Sequence, residues 1–236
     1  MEKLLAELVS KMVKSYGDDL VSVILYGSAA VGDHSGRYSD INILCVLRQI
    51  TPRELAAAEP LFHWWREKDN PSPLLLSAEE VRTSTDCFPI EFHDIKDRRR
   101  VLHGEDVVDS LKIDDSFYRA QVEYQLRAKV LRLRQKGAGV MHDRELLLEL
   151  LANSVSTFCV LVRHALLLAG FDAGWSKREI VEHAREAFGI DSSPFLALLD
   201  LRDSRLKPRG LDAVQLFTQY LAEIGKVVEF VDKLEK

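Results

Sequence analysis

Leu4, Leu5, Leu8, Val9, Met12 and Val13 recur at helical spacing, which predicts an amphipathic helix ending near Gly17. Two β-branched apolar runs follow, LVSVILYG at 20–27 and DINILCVL at 40–47, and both read as strands. TPRE at 51–54 combines a Thr cap, a Pro at the first helical position and a Glu three residues after the cap. That combination starts a helix, which should run to about Lys68, where NPSP breaks it. LLLS at 74–77 is a short strand, and Ser77 with Glu80 forms a second capping box. In FPIEFHDI at 88–95, Ile90 and Phe92 alternate with Glu91 and His93, so a further strand is expected, entered through Pro89.

Beyond residue 113 the pattern changes. No proline occurs between Pro89 and Pro194, and the apolar residues fall at helical intervals. Val122, Leu126, Val130 and Leu133 line one face of a helix. Residues 143–169 are apolar almost all round, the mark of a central buried helix. Ser176 with Glu179, then Ser193 with Pro194, open two more helices, and 211–235 form the last. The expected fold class is α+β: a mixed α/β domain over 1–112, then an all-α helical bundle over 113–236.

Composition narrows the function classes. The chain has 236 residues, 47% hydrophobic and 29% charged, with a net charge of −5. A general nucleic-acid binder usually carries a basic excess, so that class is disfavoured. The acidity is confined to residues 1–112, with 14 Lys+Arg against 19 Asp+Glu; the remainder balances. Cys45, Cys87 and Cys159 have no zinc-like or disulfide-framework spacing and are expected to be reduced core thiols. With no signal-peptide core or uncharged membrane-length run read in the sequence, the expected location is cytoplasmic, away from membranes.

The chemistry concentrates in GSAAVGDHSGRYSDIN, residues 27–42. A strand ending in Gly27-Ser28 and turning into a helix offers backbone N–H groups and a hydroxyl to phosphate oxygens. Ser39 and Asp40 open the next strand, where residues two apart share a face, so Asp40 and Asn42 project together. Paired oxygen ligands beside a phosphate loop suit Mg²⁺. Glu91 was placed on the polar face of a neighbouring strand, in position to complete a metal site or take a proton. Asp94, of opposite parity, is the weaker candidate. Lys177, opening a helix in SKRE, is a candidate for phosphate contact, with a solvated first turn as its plainer reading. DRRR at 97–100 reads as a basic turn. Arg178 and His183 have an R-x4-H spacing that Arg98 and His103 share, which makes the pattern uninformative.

This segment resembles the signature of the DNA polymerase β-like nucleotidyltransferases: Gly-Ser, a spaced Gly, then Asp-x-Asp on the next strand. The branch of aminoglycoside adenylyltransferases and minimal nucleotidyltransferases is the most similar, and its members often carry a C-terminal helical bundle. The resemblance implies that Gly27, Ser28 and Ser39, with Lys177, hold a nucleoside triphosphate, ATP in the first instance. It implies metal at Asp40, Asn42 and Glu91, with Asp40 and Glu91 catalytic. The reaction implied is Mg²⁺-dependent transfer of a nucleotidyl group to a hydroxyl acceptor, a small aminoglycoside-like molecule or a protein side chain. Asn42 departs from the pattern, since it stands where the second Asp would be. The alternative reading is therefore a catalytically impaired nucleotide-binding or antitoxin-like interaction module.

Overall fold

The computed structural model describes residues 1–31, 41–68 and 70–234. The chain divides into two compact units, Met1–Asp115 and Ser116–Lys236. The first contains α1 (Glu2–Tyr16), β1 (Leu20–Tyr26), β2 (Asn42–Leu47), α2 (Pro52–Arg66), β3 (Leu74–Ser77), α3 (Ala78–Thr83), α4 (Pro89–Asp97) and β4 (Arg99–Gly104). The second contains α5 (Tyr118–Ala138), α6 (Arg144–Leu168), α7 (Lys177–Phe188), α8 (Ser193–Arg202) and α9 (Ala213–Lys233). The fold is α+β, as the sequence pattern predicts.

The strands form one mixed sheet of order β3-β2-β1-β4. β1 pairs antiparallel with both β2 and β4, whereas β2 and β3 run parallel through the α2 crossover. Alternation along the strands creates two cores. Val23, Leu25, Ile43 and Cys45 pack with Leu5, Leu8 and Met12 of α1 and Leu61 and Trp65 of α2. On the opposite face, Ile24, Leu44 and Val46 meet Val81 of α3 and Phe92 and Ile95 of α4. The run Ile43–Leu47 is buried throughout because helices cover both faces. Trp65 is fully buried, its indole N–H donating to Pro71 O at 2.9 Å, while Trp64 only borders the core.

Helix starts follow local chemistry. Thr51 and Glu54 form a reciprocal capping box at α2, and Ser77 and Glu80 do the same at α3. Two local expectations fail. Residues 89–97 are a helix, not a strand: Pro89 occupies the first helical turn, and Phe92 and Ile95, three apart, form the buried stripe. The basic cluster after it is the edge strand β4 rather than a turn. There Arg99 pairs with Asp106 at 3.0 Å and Asp109 at 2.9 Å, and Arg100 pairs with Glu2 at 3.0 Å. Cys45 and Cys159 are buried thiols, each pushed by burial to a pKa of about 12. Cys87 is exposed, so only two of the three cysteines are core residues.

In the second unit α6 is central, with α5, α7, α8 and α9 all packed against it. Its 25 residues satisfy a membrane helix in length and composition, yet it buries Arg163 and His164 inside the bundle. Tyr118 OH lies 2.5 Å from His164 Nδ1, and Arg163 donates to Gly174 O while stacking on Trp175.

Candidate active site

The candidate site begins where β1 ends. Gly27 has φ +79°, a conformation that suits glycine, and its N–H donates to Arg98 O at 2.9 Å. Its carbonyl accepts from Ala30 N at 3.0 Å, closing the single 3-10 turn Ser28–Val31. The helix expected after Gly-Ser is thus only four residues, too short for a helix dipole to carry phosphate binding. What remains is a tight glycine turn with half-buried Ser28 at its start.

A Cβ placed on Gly27 would stand 3.4 Å from Asn42 Nδ2. The missing side chain therefore keeps open the space between the turn and the head of β2. Tyr26 and Asn42 are cross-strand partners and share a face, with the pair Ile24 and Leu44 next along it. α4 lies against that face through Phe92 and Ile95. Burial first, then the carboxylates of Glu91 and Asp94, push the Tyr26 phenol to about 12. It stays a neutral hydrogen-bond donor at physiological pH.

Strand parity therefore does not place Glu91. It belongs to the first turn of α4, and Asp94, three residues on, lies along the same flank of the buried stripe. Gly27, Asn42 and Glu91 come to one corner of the sheet, the first two in contact and Glu91 through Tyr26. Ser39 and Asp40 lie outside the described residues. Lys177 is the first residue of α7 in the second unit. Arg178 beside it is committed to Asp200 at 2.6 Å and Asp203 at 3.4 Å, so it has a structural role within the bundle.

Sequence reasoning missed Tyr26 and set Asp94 aside. The available signal was Pro89 followed by apolar residues three apart, which marks a helix start as readily as a strand entrance. Among the described residues, no three His, Cys, Asp or Glu side chains stand close enough to share a metal ion. Mg²⁺ does not require such a cluster, because one or two carboxylates plus substrate phosphates suffice. The donors around the Gly27 turn, the amide oxygen of Asn42 and the carboxylates of α4, are hard oxygens of the kind it prefers.

No protein-family model and no curated protein matches the sequence. Among solved structures, the chain is similar to spectinomycin adenyltransferase AAD(9) from Enterococcus faecialis, crystallised with ATP and spectinomycin. The two share 13% identity and a TM-score of 0.64 over 98% of this chain and 99% of the other. That likeness establishes the fold, the one the Gly-Ser signature implies. A toxin-antitoxin structure with AMP-PNP covers 42% of this chain and 73% of its own at 18% identity. Its TM-score of 0.30 is too low to carry weight.

Proposed function

We propose that the protein is an ATP-using nucleotidyltransferase acting on a hydroxyl acceptor. The observation that carries this is the Gly27 turn set directly against Asn42, at the place where the sequence bears the Gly-Ser and Asp40 signature. The end-to-end likeness to the fold of an adenyltransferase supports it.

In this reading the glycine turn and Ser28 receive the triphosphate, and Asp40 and Asn42 hold Mg²⁺. The ion, when bound, supplies positive charge against the phosphate oxygens. Glu91 accepts the proton of the acceptor hydroxyl as its oxygen attacks the α-phosphorus. The bond from that phosphorus to the bridging oxygen breaks, and pyrophosphate leaves with the electron pair. Tyr26, fixed as a neutral donor beside Glu91, orients that carboxylate and does not compete for the proton. A catalytically impaired nucleotide-binding module is the second reading, favoured by the neutral side chain at position 42.

Calorimetric titration of ATP, with Mg²⁺ and then with EDTA, tests the proposal on the unaltered protein and on Asp40→Ala. Binding that needs Mg²⁺ and is lost in the variant supports the site. Pyrophosphate release on addition of acceptor candidates then separates the enzyme from the impaired module. ATP that fails to bind, or binds equally without metal and without Asp40, overturns the proposal.

A further inference from the structure

We infer that Asp94, on α4, supplies the nucleotide site with the negative charge that position 42 does not carry. This rests on the reading of the Gly27 corner as a Mg²⁺-ATP site.

Three observations converge on it. First, β3, the strand beside β2, brings no acidic side chain: its residues are Leu74, Leu75, Leu76 and Ser77, with Leu74 opposite Leu44. A replacement carboxylate must therefore come from outside the sheet. Second, α4 is pinned to the Asn42 face by Phe92 and Ile95, which are 1% and 0% exposed, so its flank is held in place. Glu91 and Asp94, three apart, both occupy that flank. Third, both carboxylates act on the hydroxyl of Tyr26, the cross-strand partner of Asn42.

Two carboxylates thus approach the corner from the helix, where the proton transfer needs only one. Glu91 serves as the base, which leaves Asp94 as the fixed charge. The nearby cations do not cancel it by default, since Arg99 is held by Asp106 and Asp109 and Arg100 by Glu2. Asp94 is here a charge-compensating residue for metal and nucleotide, with no covalent part in the transfer.

The test is a double-mutant cycle read by calorimetry with ATP, in Mg²⁺ and in EDTA, on the wild type, D94N, N42D and the double variant. Asp94→Asn is expected to weaken Mg²⁺-dependent ATP binding by about tenfold or more, leaving binding in EDTA unchanged. Asn42→Asp in the same chain should restore it to within about threefold of wild type. Asp94→Ser, assayed in parallel with thermal melts, gives the same reading if the Asn variant folds poorly. Wild-type-like binding by D94N, equal losses with and without Mg²⁺, or no rescue by N42D would each overturn the inference while leaving the nucleotide site standing. Absence of Mg²⁺-dependent ATP binding in the unaltered protein overturns both readings together.

Discussion

The two faces of the sheet are built to different specifications. Against α1 and α2 the packing is almost wholly apolar, from Leu5 through Trp65, and it extends the full length of β1 and β2. Against α3 and α4 the buried cluster is smaller and ends in polar residues, Tyr26 and Asn42, with two carboxylates on the adjoining helix. One sheet therefore carries a face that maintains the fold and a face that presents chemistry. They are separated only by the alternation of side chains along a strand.

Substitutions that separate the faces should do so by what they affect. Phe92→Ala has the largest expected effect, because it loosens α4 as well as the core. Its destabilisation should be about 3–5 kcal/mol, and displacement of Glu91 should lower nucleotidyl transfer by about a hundredfold. Trp65→Ala, on the other face, should cost a similar ~3–5 kcal/mol in urea unfolding. ATP affinity, measured where the variant remains folded, should stay within about twofold of wild type. If both variants lose affinity equally, the division between the faces fails.

Gly27→Ala is intermediate. A methyl group at φ +79° carries a backbone penalty of roughly 1–2 kcal/mol, and it reaches toward the Asn42 amide. The expected outcome is a modest loss in Tm and a clear loss of Mg²⁺-ATP binding. The smallest effect belongs to Thr51→Ala, at the start of α2 on the stability face. Loss of the cap should cost about 1 kcal/mol and leave nucleotide binding unchanged. Its pH dependence is also set. The Thr51 hydroxyl hydrogen bond holds the Glu54 carboxyl below its ordinary 4.5. A depressed carboxyl contributes stability above its unfolded pKa and loses it as pH falls through the folded one. The difference between wild type and Thr51→Ala in chemical denaturation should therefore be full at neutral pH and shrink below about 4.5.

How much of this was legible in the sequence depended on whether the deciding contact is local. The boxes Thr51–Glu54 and Ser77–Glu80 lie within four residues, so α2 and α3 could be started from the sequence alone. β1 and β2 are apolar runs bounded by turn residues, equally legible. Residues 89–97 contain both a two-residue and a three-residue apolar spacing, and short windows do not separate the two periods. β4 was obscured because edge strands carry charge, and its arginines find their partners at Glu2, Asp106 and Asp109, beyond any local window. The same limit applied to the site. Gly27 and Asn42 were readable from the motif. The relation of Asp94 to Tyr26 depended on a helix packed over sixty residues away from that strand.

The strand order has a consequence for how the chain is made. β1 is central, yet one of its two neighbours is β4, whose residues 99–104 are synthesised long after Tyr26. At about 5–20 residues per second, roughly 4–15 s separate the two on the ribosome. Through that interval β1 has an open edge, and the carbonyl of Arg98 that receives the Gly27 N–H does not yet exist. A nascent chain stalled before residue 98 should therefore lack the glycine turn and be prone to pairing with other strands, needing chaperone cover until β4 arrives.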